Sequence, residues 1–307
     1  MSDQPPLLSP TELIHLTYDG NFMLECEATV LSCQIINATT TTTSGSKNDQ
    51  KDNNMNNDQE LQKQVALHLD RTVMHPQGGG QPSDIGVIEI MIDNNNNGNG
   101  NDGKTAVSAT KVTVDRASGV VTHVVGGVSS SIDLLQVGQP VRVLVDPEVR
   151  RILSECHTAG HVVDSAMAQC GRILPPVKGY HFLDGPYVEY KGSIPLEERD
   201  ELLVNLQRAF ADLVEQDIST VIETMSKTDA IELCQRVQQQ QPGTINLDEF
   251  GNEVRMVTVA GWCCPCGGTH VRSTSDLRER KWGIVGIKCK KGVVRVKYDQ
   301  NTAVAGA

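Results

Sequence analysis

The chain has 307 residues, enough for one large domain or two ordinary ones, and its 38% hydrophobic content still supplies a core. With 38 acidic against 27 basic residues the formal net charge is −11, which disfavours indiscriminate grip on phosphate backbones and speaks against a general DNA binder. No stretch approaches 18 uninterrupted apolar residues, so no helical membrane span is expected, and nine scattered cysteines, an odd number, do not form a disulfide framework.

The opening MSDQPPLLSP has neither the basic region nor the apolar run of a secretory signal. A cytoplasmic, reducing setting is therefore expected, in which thiols are free to bind metal. Residues 24–36 alternate well enough for a strand, and further strands are expected over 65–74, 86–92, 111–114, 120–125 and 141–145. Their short lengths, separated by Gly, Asp and Ser, point to a small barrel or sandwich. Two low-complexity inserts interrupt this part, an Asn/Thr-rich stretch over 37–58 and an Asn/Gly-rich one over 94–103. Neither has enough apolar surface to offset its ordering entropy, so both are expected to be disordered loops.

From residue 146 the pattern changes. Val149, Ile152, Leu153, Cys156, Ala159, Val163 and Ala166 fall at helical spacing, with Pro147 suited to a first turn and Asp146 to a cap. Helices are also expected over 196–216 and 228–237, and strands over 187–190, 220–223, 253–259, 283–288 and 293–298. Helices and strands mixed in this order predict an α+β layer rather than repeated βαβ units. The division is thus 1–145 for the strand-rich part and 146–307 for the mixed part.

Inside the first helix, His157 and His161 stand four apart, one turn along the same face, so both imidazoles can reach one ion. Cys266-Gly-Gly-Thr-His270 supplies a second pair, with two glycines that let the backbone fold tightly around a ligand. Three imidazoles and a thiolate suit Zn2+. Cys263 and Cys264 compete as ligands, and Cys263-x-x-Cys266 alone would make a structural zinc knuckle. Basic residues collect at Lys281, Lys288, Lys290, Lys291, Arg295 and Lys297, and again at Arg150 and Arg151. Each group is either a local nucleic-acid contact or a solvated face.

These motifs resemble a known family. His157-Thr-Ala-Gly-His161 followed by Cys266-Gly-Gly-Thr-His270 looks like the editing domain shared by alanyl- and threonyl-tRNA synthetases and by the free-standing AlaX-type proteins. The run from Asp70 to Gly86, with Gly78-Gly79-Gly80-Gln81 at its centre, is similar to the glycine-rich motif of the β-barrel preceding that domain in the alanine system. Residues 282–298 resemble the domain's closing strands. The match covers about 24–298 apart from the inserts.

The resemblance implies an N-terminal β-barrel followed by a two-layer α/β editing domain with an antiparallel sheet. It implies a trans-acting hydrolase that deacylates mischarged tRNA(Ala), carrying serine or glycine, at a zinc site held by His157, His161, Cys266 and His270. Thr158, beside the first ligand, and His181 are the candidate catalytic or pocket groups, and Gly79, Gly80 and Gln81 the candidate substrate contacts. Editing on threonine tRNA is the competing substrate, and a zinc-stabilised module that only binds tRNA or a synthetase the competing function. The sequence departs from the family at Gly160, where a larger residue is common, and at Glu189-Tyr190, where Asp-Phe is usual. Oligomeric state is not legible.

Overall fold

The computed structural model describes residues 8–40, 61–91, 105–238, 247 and 250–302, which cluster into two compact units. The first unit comprises residues 1–13, 24–76 and 83–146, and the second 14–23, 77–82 and 147–307. One sequence boundary at 145/146 therefore does not describe the molecule. Two short N-terminal stretches, one of them carrying the Gly78-Gly79-Gly80-Gln81 loop, cluster with the C-terminal part.

The first unit is a closed six-stranded barrel. Its strands are β1 (Glu25–Thr40), β2 (Leu61–Leu69), β3 (Gly86–Ile90), β4 (Thr105–Val114), β5 (Val121–Val128) and β6 (Pro140–Val145), paired in the order β1-β2-β5-β4-β3-β6 and back to β1. Every pairing is antiparallel. β1 serves two partners: Glu25–Thr29 faces β6, and Val30–Thr40 faces β2. Period-two alternation turns Val65, Leu67, Leu69, Ile88, Val121, Val125, Val141 and Val143 inward, where each is fully buried. Closure leaves no unpaired edge.

Three expectations are corrected here. Asn37–Thr40 belongs to β1, paired with Gln64–Leu61, and is not part of an insert; threonine suits a strand, and the backbone ladder accepts Asn at its end. The rest of the first insert and all of the second lie outside the described residues. β4 begins at Thr105, six residues before the expected 111, and β5 runs on through Gly126 and Gly127 to Val128. Gly126 and Gly127 have weak β-propensity, and small Ala and Ser dilute the strand signal of 105–110; both extensions hold because each is paired to neighbouring strands.

In the second unit the long helix α1 (Pro147–Gln169) is buried along most of residues 153–167. Next come β7 (Pro176–Tyr180), β8 (Tyr187–Lys191), α2 (Arg199–Glu215), β9 (Val221–Ser226), α3 (Lys227–Gln238), β10 (Glu253–Val259), β11 (Trp262–Pro265), β12 (Gly283–Lys290) and β13 (Val293–Asp299). The strands form two antiparallel sheets where one was expected: a four-stranded sheet in the order β12-β13-β8-β7 and a three-stranded sheet β9-β10-β11. One core joins α1 and α2 to both sheets through Val162, Ala166, Leu206, Phe210, Val257 and Val296.

β7 and β11 were not expected. β7 holds Pro and Gly and pairs on one side only, which suits an edge strand. Arg150, read as surface charge, is buried and donates to the carbonyls of Asn21 and Met23, both at 3.3 Å. Arg151 pairs with Glu155 and Glu279. Neither belongs to a free basic patch. Among the described residues no helix is long and apolar enough to cross a membrane.

One barrel residue carries a pH dependence. His123 is fully buried on β5, with Nδ1 3.3 Å from the Leu67 carbonyl and Nε2 2.9 Å from Thr72 Oγ1. Burial lowers its pKa to about 4, so the folded ring is neutral near pH 6 while the unfolded chain binds a proton there. Stability from this group is complete above the unfolded value near 6.5 and falls as pH drops toward 4, by roughly 3 kcal/mol in all. Urea denaturation at pH 7 and pH 4.5 should show that loss, and His123→Gln should remove this group's share of the pH dependence; an unchanged pH profile in the variant would assign the loss to other groups.

Candidate metal centre

α1 places the His157 and His161 side chains one turn apart, with rings at 5.1 Å and nearly parallel. The loop after β11 brings Cys266 and His270 to the same place. One donor atom from each of the four lies within 4.8 Å of every other, a group able to hold a metal ion. Cys266 Sγ is 3.5 Å from His157 Nε2 and 3.4 Å from His270 Nε2.

The turn between Cys266 and His270 depends on one glycine. A Cβ on Gly268 would sit 2.1 Å from the His157 ring, whereas one on Gly267 would make only an ordinary 4.0 Å contact with Leu16. The Gly268 N–H also points to Cys266 Sγ at 3.4 Å, which favours a thiolate there. Asn21, from a single helical turn at Tyr18–Phe22, clamps His270 by its backbone: Nδ2 donates to the His270 carbonyl at 2.8 Å and Oδ1 accepts its N–H at 3.0 Å. Arg255 donates to the carbonyls of Cys266 and Leu16.

Each imidazole is fixed through Nδ1. His157 Nδ1 lies 2.6 Å from Gln81 Oε1, and the same oxygen accepts the Thr269 N–H at 3.0 Å. An atom that takes a backbone N–H is the amide oxygen, so His157 Nδ1 bears the proton and Nε2 presents its lone pair toward Cys266. Gln81 Nε2 in turn donates to Thr269 Oγ1 at 2.8 Å, and Ser154 Oγ is 2.7 Å from that hydroxyl. His270 Nδ1 is 3.2 Å from Thr158 Oγ1, which also accepts the Val271 N–H at 3.2 Å. His161 Nδ1 faces Cys264 Sγ at 3.4 Å and Asp164 Oδ2 at 4.0 Å.

Burial sets the protonation states. It lowers His161 to about 4, with the Arg255 charge adding to the effect, so this imidazole is neutral at pH 7. Burial raises the Cys266 thiol, opposed by Arg255 and the Gly268 N–H. Metal uptake at neutral pH therefore displaces a thiol proton.

His181 stacks on His157 with ring centroids 4.3 Å apart, and its Nδ1 lies 2.5 Å from the Tyr298 hydroxyl. Burial pushes its pKa down to about 3. The space it fills exists because position 160 is glycine: a Cβ there would come within 2.4 Å of His181 Cε1 and 2.9 Å of Tyr298 Oη. Gly80, at φ +80°, lies so close to the Gly179 carbonyl that a Cβ would sit 2.3 Å from the oxygen, and its carbonyl accepts the His181 N–H at 2.8 Å. Gly79 also has positive φ, +56°, with nothing near its missing Cβ.

The structure thus brings Thr158, His181 and Gln81 against residues of the donor set, and Gly80 against His181. It separates Cys263, whose Sγ lies 2.9 Å from Cys234 Sγ in a different apolar cluster, so Cys263 and Cys266 do not form a knuckle. Sequence reasoning missed Asn21, Ser154, Thr269 and Tyr298. Only Thr269, inside the Cys266–His270 turn, carried any signal.

The chain matches no family model. It is similar to the alanyl-tRNA editing protein AlaX-L of Pyrococcus horikoshii, 28% identical over 76% of this chain and 51% of the relative. It is also 28% identical to the alanine–tRNA ligases of a Nocardioides species, over 69% of this chain and 21% of the ligase, and of Methanopyrus kandleri, over 75% and 22%. The chain spans about half the length of the archaeal editing protein and about a fifth of each ligase. The resemblance to AlaX-type editing proteins carried by the sequence motifs is borne out.

If the four donors take up a metal ion and Gln81 orients His157, Gln81→Ala should weaken its binding about 10- to 100-fold without unfolding the chain. Competition against a chromophoric chelator measures this directly. An affinity equal to wild type would show that the Gln81 bond does not set the ligand.

Proposed function

We propose that this chain is a zinc-dependent editing hydrolase that removes serine or glycine from mischarged tRNA(Ala). The observation that carries the reading is the convergence of three Nδ1-anchored imidazoles and one thiol within 4.8 Å. The similarity to an alanyl-tRNA editing protein adds the substrate class. A neutral nitrogen set with one thiolate is the donor chemistry that zinc takes. His157, His161, Cys266 and His270 would hold the ion, and zinc bound there supplies a Lewis acid for an ester carbonyl.

The surrounding residues take distinct parts. Gln81 and Thr158 act through His157 and His270, because both side chains are committed to those imidazoles and to backbone N–H groups. His181 is the candidate to meet the substrate. Tyr298 is buried and its pKa stands well above the ordinary value, so its hydroxyl is protonated and can donate to His181 Nδ1. That tautomer leaves the proton on Nε2, which has no hydrogen-bond partner among the described residues. A donor that pairs with a seryl hydroxyl and finds no partner on alanine would discriminate between the two esters. Gly160 and His181 are then one adaptation, since the missing Cβ makes room for the ring.

Four protein ligands complete a tetrahedral set, which favours a second reading in which zinc is structural and the domain only binds tRNA or a synthetase. Deacylation of seryl-tRNA(Ala), with alanyl-tRNA(Ala) alongside, separates the two. The hydrolase should release serine, spare alanine, and lose activity in a His157→Ala, Cys266→Ala double variant. Stoichiometric zinc with neither ester cleaved would leave the structural reading in its place.

A further inference from the structure

The outer face of the four-stranded sheet carries an unusual side-chain set. Residues opposite each other in antiparallel strands share a face, so the register defines rows across the sheet. One row reads Lys288, Arg295, Glu189, Lys178, and the next Gly286, Lys297, Tyr187, Tyr180. Lys290 and Lys191, both opposite Val293, extend the same face. The alternate residues Val188, Tyr190, Val294, Val296 and Tyr298 point the other way into the core.

The six cations stand in a chain whose net charge is −11. Glu189 is the only carboxylate within these rows, and it is taken by Arg295 at 2.6 Å. Asp184 accepts the Tyr180 hydroxyl at 3.0 Å, and Asp299 lies at the end of β13. Lys178, Lys191, Lys288, Lys290 and Lys297 make no ion pair among the described residues. The aromatics form a column: Phe182 on Tyr180 at 4.7 Å and Tyr180 on Tyr187 at 5.1 Å, both 17° from parallel. The Arg295 guanidinium closes one end, 3.9 Å from the Tyr187 centroid, and Lys178 Nζ lies 5.7–5.8 Å from the Tyr180 and Tyr187 rings.

We propose that this sheet face binds single-stranded RNA, with phosphates on the lysine rows and an unpaired base extending the ring column at its Phe182 end. Unpaired cations on a flat face suit a polyanion, and a ring column with a cationic end suits bases in a stack. An acidic peptide would use the charge and leave the column idle. The identification of that RNA as the tRNA substrate rests on the function proposed above; the binding chemistry does not.

The test is fluorescence anisotropy of the full metal-loaded chain with a labelled ten-nucleotide single-stranded RNA across a salt series. Lys178→Ala, Lys288→Ala and Lys297→Ala together should weaken binding at least tenfold and flatten the log–log salt slope by about 2. Tyr180→Ala should weaken it about fivefold or more while leaving the slope in place. A Lys111→Ala, Lys227→Ala control should bind as wild type. The inference is overturned if the triple variant matches wild type in affinity and slope, or if the control weakens binding equally. Hydrolysis of seryl-adenosine, too small to reach the outer face, separates this result from the fate of the hydrolase. Cleavage together with unaffected RNA binding in the triple variant overturns the platform and keeps the enzyme. RNA binding with the stated losses but no cleavage keeps the platform and overturns the enzyme.

Discussion

The amide of Gln81 joins three segments that are far apart in the chain. Its oxygen accepts from His157 on α1 and from the backbone of Thr269 in the turn that carries two of the donors, and its nitrogen returns to the Thr269 hydroxyl. The side chain is fully buried, and a buried amide without partners costs about 1–3 kcal/mol. The fold therefore has to satisfy this residue, and it does so with groups that define the metal centre. Stability and ligand geometry are in this way the same constraint. Gly268 belongs to it as well, because any Cβ there would displace either the His157 ring or the Gln81 oxygen.

Neutral imidazoles follow from the same enclosure. Burial makes an imidazolium expensive at His161 and His181, with the Arg255 charge adding to the effect at His161, so both rings are neutral at physiological pH. A neutral ring with a protonated Nδ1 offers its Nε2 lone pair without first losing a proton. Only the thiol must ionise, and its N–H and guanidinium neighbours oppose the effect of burial.

Legibility in the sequence tracked the range of the interaction. The donors of α1 and of the Cys266–His270 turn showed through because their spacing is local: four residues place two side chains together on a helix or across a tight turn. The helix itself showed through its apolar period. Asn21 and Ser154 gave no sign, since their partners lie 249 and 115 residues away and nothing in the local pattern marks a side chain destined to brace another. Arg150 misled for a related reason. Charge predicts exposure until two carbonyls at 3.3 Å replace water, and those carbonyls belong to residues 21 and 23. β7 and β11 were missed because Pro176, Gly179 and Pro265 suppress a strand signal that pairing to β8 and β10 overrides.

The segment Lys178-Gly-Tyr-His181 ties the two faces of the four-stranded sheet together. Strand alternation sends Lys178 and Tyr180 outward with Glu189 and Tyr187, while Gly179 and His181 turn toward the metal centre. A one-residue slip of β7 that exposed the imidazole in place of Tyr180 would put Phe182 where His181 meets His157. Register there is held by the Gly80 carbonyl on the His181 N–H and by the close approach of Gly80 to Gly179, which only glycine at position 80 permits. The glycine-rich loop thus fixes, through one hydrogen bond and one steric limit, which side chains of an edge strand meet the donors and which meet solvent. That is a physical reason for the loop to cluster with the C-terminal unit, although its sequence neighbours on both sides belong to the barrel.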